Sequence, residues 1–89
     1  MADTTELVVY TLEYCPNCEI LKRFLERMNI AYTERDMSTA ASMTELRVHG
    51  VFVNEAPVLR GPAGFLTSRD LFSGEALVEE RVRDLAGVS

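Results

Sequence analysis

Leu7-Val8-Val9-Tyr10-Thr11, then Leu12-Glu13-Tyr14, then Cys15-Pro16-Asn17-Cys18, is the stretch on which the reading of this chain turns. Its first five residues are a short β-branched and aromatic run, the pattern of a buried strand. The cysteine pair therefore follows a strand's C-terminal end. From Asn17 to Met28 the apolar residues Ile20, Leu21, Phe24, Leu25 and Met28 recur at helical spacing, with Glu19, Lys22, Arg23, Glu26 and Arg27 on the other side. This is an amphipathic helix, and Pro16 suits its first turn.

Two cysteines three positions apart close a tiny loop, so a disulfide between them constrains the unfolded chain little. In a reducing compartment such a pair points to redox chemistry or to metal binding. At a helix N-terminus the unsatisfied backbone N–H groups and the positive helix end stabilise a Cys15 thiolate, while Cys18 lies one turn inside. Cys15 is then the attacking thiol and Cys18 the resolving one. Glu13 and Glu19 flank the motif and oppose the thiolate. A structural metal site needs further ligands, yet the chain has no second cysteine pair and His49 is its sole histidine.

Beyond the helix, Ala31 to Asp36 alternates Tyr32, Glu34 and Asp36 with Ala31, Thr33 and Arg35, which predicts a second strand and so a βαβ unit. After a polar Ser38 to Ser42 stretch, Met43, Leu46 and Val48 with Glu45 and Arg47 predict a second helix that stops at Gly50. Val51-Phe52-Val53 is apolar, Asn54-Glu55 polar, and Ala56-Pro57-Val58-Leu59-Arg60 resumes a strand whose proline is tolerated at its start. Gly61-Pro62-Ala63-Gly64 is a turn signal, with Phe65-Leu66 returning as the antiparallel partner. Thr67 or Ser68 then N-caps a helix beginning Arg69-Asp70-Leu71-Phe72, which Gly74 interrupts before Glu75 to Ala86 continues it. The order β-α-β-α-β-β-α predicts an α/β fold, a four-stranded mixed sheet flanked by helices.

Eighty-nine residues make one domain, 1–89, since a chain this short buries roughly 60 to 65% of its unfolded surface around a single core. Fraying is expected only at the ends, Met1 to Thr5 and Val88 to Ser89. A net charge of −5, with acids spread from Asp3 to Asp84, argues against nucleic acid and anionic membranes, both of which need clustered Lys or Arg. No apolar run approaches the roughly 20 residues of a membrane span, and Ala2-Asp3-Thr4-Thr5-Glu6 lacks the features of a signal peptide. The expected location is the cytoplasm.

Val9-Tyr10-Thr11, two variable residues, Tyr14-Cys15-Pro16-Asn17-Cys18, the amphipathic helix and the later Ala56-Pro57-Val58 together resemble a glutaredoxin over nearly the whole chain. The resemblance implies a thioredoxin-like, glutaredoxin-type fold. It also implies a thiol-disulfide oxidoreductase that reduces protein or small-molecule disulfides by dithiol exchange, with Cys15 and Cys18 catalytic and Tyr14, Pro16 and Asn17 beside them at the substrate. Pro57, by itself an edge-strand proline, becomes by resemblance a cis proline opposite the cysteines, where it and Ala56 pair with an extended substrate. Ala56-Pro57-Val58 is closer to the Ala-Pro-Val of redoxins that serve ribonucleotide reductase than to the family's Thr-Val-Pro. Tyr14 either covers the disulfide with an apolar face or fills the core under the helix.

Where glutaredoxins commonly carry a Lys or Arg for a glutathione carboxylate, this chain has Leu12 and Glu13. Their Gly-Gly-x-Asp segment corresponds to Thr67-Ser68-Arg69-Asp70, which keeps Asp70 and loses both glycines. Ser68, Arg69 and Asp70 remain candidate substrate contacts, and Arg60 or Arg69 a source of positive charge. The implied partners are disulfide-containing proteins, with glutathione or thioredoxin reductase as reductant. No tightly bound cofactor and no metal are expected, and the chain is expected to be a monomer. Two other readings stand beside this one: an iron-sulfur or metal carrier using Cys15, with Cys18 or glutathione, between subunits, and a binding module whose cysteines are incidental.

Overall fold

In the computed structural model, which describes residues 7–53, 55–62 and 64–87, Leu7–Thr11 forms β1 inside a four-stranded sheet. The expectations for both chain ends, and for Asn54 and Ala63 in their loops, lie outside the described residues. β1 pairs in parallel with β2 (Tyr32–Asp36) and antiparallel with β3 (Val58–Gly61), and β3 pairs antiparallel with β4 (Gly64–Leu66). The order β2-β1-β3-β4 makes the sheet mixed, as the sequence implies. Helices α1 (Pro16–Arg27) and α2 (Ala40–Val48) each follow a parallel strand. A one-turn α3 (Ser68–Leu71) and α4 (Glu79–Ala86) follow the hairpin.

β1 lacks a polar face because both sides of it are covered. Leu7 and Val9 join Leu21, Phe24 and Leu25 of α1, Leu59 of β3 and Val82 and Ala86 of α4 in one core cluster. Tyr10 points the other way, with Met37, Leu46 of α2 and Val58. Alternation along a strand sends successive side chains to opposite faces. Burying each such large apolar side chain stabilises by roughly 1.5 to 3 kcal/mol, so the two clusters fix β1 and, with it, the start of α1.

Gly61 marks a close approach. A Cβ there would lie 2.8 Å from Leu85 Cγ, 3.1 Å from the Leu85 carbonyl oxygen and 3.2 Å from Leu7 Cδ2, so α4 seats on β3 only because this residue has no side chain.

Two expectations need correction. α2 begins at Ala40, inside the polar stretch, because Thr39 N-caps it by accepting from the Ser42 N–H at 3.1 Å. The last helix is not a single interrupted one. Phe72–Ser73 (β5) and Ala76–Leu77 (β6) form a small antiparallel hairpin between α3 and α4. Gly74 has φ +64°, and a glycine of positive φ at the first position of a two-residue loop matches the twist of a tight hairpin better than it suits a helix. Phe72 and Leu77 pack against the larger core cluster. Among the described residues no helix is long and apolar enough to cross a membrane.

Candidate active site

α1 starts where β1 ends, and its N-cap is Cys15. The Cys15 backbone is extended (φ −112°, ψ 98°), and its Sγ accepts from the Cys18 N–H at 3.1 Å. Pro16 occupies the helix's first turn, where no N–H is needed. Cys15 and Cys18 are joined as a disulfide, with Cα atoms 5.2 Å apart. The two sulfurs differ in access. Cys15 is half-buried, whereas Cys18 is 1% exposed beneath the first turn.

Opposite the helix start lies the loop before β3. The Ala56–Pro57 peptide bond is cis, Pro57 is buried, and the Ala56 carbonyl oxygen lies 3.7 Å from Cys15 Sγ. In the disulfide Sγ carries no proton, so this is a contact; after reduction the thiol has an acceptor there.

Open cavities lie on both sides of Cys15. One, about 610 Å³, runs between the Leu12 to Pro16 loop and the C-terminal ends of β1 and β2, and Cys18, Lys22, Glu34 and Asp36 help to wall it. The other, about 500 Å³, brings Ala56 and Ser68 to the motif and is lined also by Asn17, Glu13 and Glu55. Tyr14 borders both and is 97% exposed, with φ 55°. A ring this exposed neither fills the core under the helix nor lies over the disulfide, so both sequence readings of Tyr14 are corrected: it stands out into solvent beside Cys15.

The wider wall is acidic and internally bonded. The Thr11 hydroxyl donates to Glu34 Oε2 at 2.8 Å, and Lys22 Nζ lies 3.0 Å from Glu19 and 3.1 Å from Glu34. Thr11 and the Lys22 ammonium, in that order, hold the Glu34 carboxyl below its usual range. Lys22 is raised in turn by its bonds to Glu19 and then Glu34. Asp36 is lowered by the Ser38 hydroxyl and N–H.

Cys15, Cys18, Tyr14, Pro16, Asn17, Ala56 and Ser68 are thus brought together, with Pro57 directly behind. Arg69 does not line either cavity but borders a small recess with Val53, Glu55, Thr67 and Ser68, of which Glu55 and Ser68 also line the second cavity. Asp70 is turned to its own helix: one carboxylate oxygen accepts both the Thr67 N–H and the Thr67 hydroxyl at 3.0 Å. Arg60 lies 3.7 Å from Glu45 and over the Phe65 ring, away from the disulfide. His49 is exposed beside Phe65, and among the described residues no group of three or more His, Cys, Asp or Glu side chains is placed to hold a metal ion.

Sequence reasoning did not find Thr11, Lys22, Glu34, Asp36 or Glu55. For four of them a signal existed. Parallel pairing sets Thr11 beside Asp36 at the strand ends, Glu34 shares a face with Asp36, and Lys22 lies one turn beyond Cys18.

The fold matches solved structures. A single-substitution mutant of the thioredoxin-like protein BC3987 superposes with a TM-score of 0.70 at 24% identity, covering 93% of this chain and 96% of that one. The unmutated BC3987 gives 0.65 at 24% identity over 89% and 97%. Glutaredoxin 1 from Francisella tularensis, complexed with cacodylate, gives 0.55 at 20% identity over 72% and 83%. No curated protein sequence matches the chain. The Glutaredoxin family model matches residues 7–58, a span that runs from β1 through the cysteine pair to the cis proline. That match takes in more than half of the sequence, and the chain belongs to the glutaredoxin family, a membership that supports a redox function.

Proposed function

We propose that this protein is a dithiol oxidoreductase that reduces disulfides by exchange at Cys15 and Cys18. The observation that carries this reading is the unequal access of two bonded sulfurs: Cys15 is reachable from two cavities while Cys18 is 1% exposed. In the reduced protein the Cys15 thiolate, supported by the Cys18 N–H and the helix end, attacks one sulfur of a substrate disulfide. The Cys15–substrate bond forms as the substrate S–S bond breaks, and the departing thiolate takes a proton from water. Cys18, deprotonated, then attacks Cys15 Sγ; the internal disulfide forms and the second substrate thiol leaves. Two electrons pass from the protein dithiol to the substrate.

Ala56 and the buried Pro57 form the wall against which an extended substrate lies, and Tyr14, Asn17 and Ser68 flank its path. Arg69, next to Ser68 at the edge of that path, remains a candidate contact, while the Asp70 carboxylate is engaged by Thr67. The protein works as a cytoplasmic monomer holding no cofactor, and its dithiol is regenerated by glutathione or by thioredoxin reductase.

The test is disulfide reduction by purified protein with NADPH and either glutathione plus glutathione reductase or thioredoxin reductase. Turnover in either system, lost in Cys15→Ser, supports the reading; no turnover in both contradicts it.

A further inference from the structure

The chain's charge is not spread evenly about the disulfide. The two cavities that meet at Cys15 are lined by Glu13, Glu19, Glu34, Asp36 and Glu55 and by one cation, Lys22. Five carboxylates against one ammonium leave a formal balance of −4 there, out of −5 for the whole sequence. Lys22 is 17% exposed and already bonded to Glu19 and Glu34, so it offers an incoming anion little. All five acids are exposed. A cleft lined by one sign of charge concentrates ligands of the other sign and repels its own. Independently of the acids, Tyr14 presents a nearly fully exposed ring beside Cys15, and the face of an exposed aromatic ring attracts Lys and Arg.

From this geometry we infer that the preferred substrate is a disulfide whose cysteine lies in a Lys- or Arg-rich segment. The acidic walls flank that segment and Tyr14 stacks on one of its cations. The inference rests on the exchange chemistry proposed above and names its substrate class. Glutathione, with two carboxylates against one ammonium, reacts at the same walls more slowly than a cationic disulfide does. The chemistry is one dithiol exchange: the reduced protein gains the Cys15–Cys18 disulfide and the substrate disulfide becomes two thiols.

The test uses single turnover, so no external donor enters. Protein reduced with dithiothreitol and freed of it is mixed with three peptides that share one cysteine, each disulfide-linked to a thionitrobenzoate whose release is read by absorbance. The residues flanking the cysteine are Lys and Arg, Ser and Ala, or Asp and Glu. The expected order is cationic, neutral, anionic, with about tenfold between the first two at low ionic strength, shrinking towards unity near 1 M salt as charges are screened. Glu13→Gln with Glu55→Gln lowers the cationic-to-neutral ratio severalfold; the ratio is read because losing an acid also alters the thiol itself. Glu75→Gln, an exposed acid outside both cavities, leaves that ratio unchanged. Equal rates for the three peptides at every salt concentration, or an anionic preference, overturn the inference while leaving dithiol exchange intact. Failure to reduce any of them overturns the exchange reading, and the inference with it.

Discussion

The Cys18 backbone N–H donates to Cys15 Sγ across 3.1 Å, so the more accessible sulfur is held by the main chain of the less accessible one. Because the donor is backbone, it survives replacement of the Cys18 side chain. In the reduced protein, Cys15 should react with iodoacetamide at least about tenfold faster than Cys18, as thiolate character and access both favour it. Mass mapping of partly alkylated protein reads the ratio, and equal labelling would remove the assignment of roles.

Thr11, at the end of β1, is tied to Glu34, in the middle of β2, along the wall of the cleft. Thr11→Val keeps the shape of a 7% exposed residue but deletes the 2.8 Å bond to Glu34. Denaturant unfolding should show a loss of about 1 kcal/mol, the usual net worth of one such bond. The Glu34 carboxyl, lowered first by Thr11, should titrate nearer its ordinary value in the variant. An unchanged Glu34 titration by NMR would show that Lys22 alone sets it.

At Gly61 a Cβ meets the backbone of Leu85 as well as its side chain, so no rotamer change relieves it. Gly61→Ala should destabilise by about 1 to 3 kcal/mol, the usual cost of forcing atoms into a packed contact. Because α4 must shift, amides of Glu79–Ala86 should lose hydrogen-exchange protection more than those of α1. Wild-type stability would show that α4 does not depend on that contact.

Tyr32 is pushed up to about 12 by burial and then by its hydrogen bond to Glu26. Tyr10 moves the same way, through burial first and its bond to Glu45 second. A raised folded value means that the unfolded chain loses these protons first, near pH 10. For Tyr32 the contribution to stability is therefore complete below about pH 10 and disappears as pH rises through about 12; the Tyr10 contribution is lost in the same direction. Unfolding free energy should fall across that window, and Tyr32→Phe should flatten the fall.

What the sequence made legible is what its periodicity encodes. The continuous apolar run of β1 and the helical spacing of Leu21, Phe24 and Leu25 place Cys15 at a helix start, and all three side chains are indeed core. The hairpin at Phe72–Leu77 was not legible, since Gly74 between two helical patterns reads as a flaw in one helix and only its positive φ reveals a turn. Tyr14 escaped for a related reason: nothing in a non-glycine residue announces a φ of 55°, which here accompanies a fully turned-out ring. The acidic wall was hidden because its parts are distant in sequence. Glu34 and Asp36 reach the cysteines only through the parallel register that sets Thr11 against Asp36.

The most direct test of the central claim is to trap the half-finished exchange. Reduced Cys18→Ser protein, mixed with a small disulfide or a disulfide-linked peptide, should accumulate a stable mixed disulfide at Cys15, visible by intact mass and released by dithiothreitol. Under the same conditions the wild type should show the internal Cys15–Cys18 disulfide and free substrate thiol, and Cys15→Ser should show no adduct. An adduct on Cys18 in the Cys15→Ser protein, or none on Cys15 in Cys18→Ser, would contradict the assignment of Cys15 as attacking and Cys18 as resolving thiol.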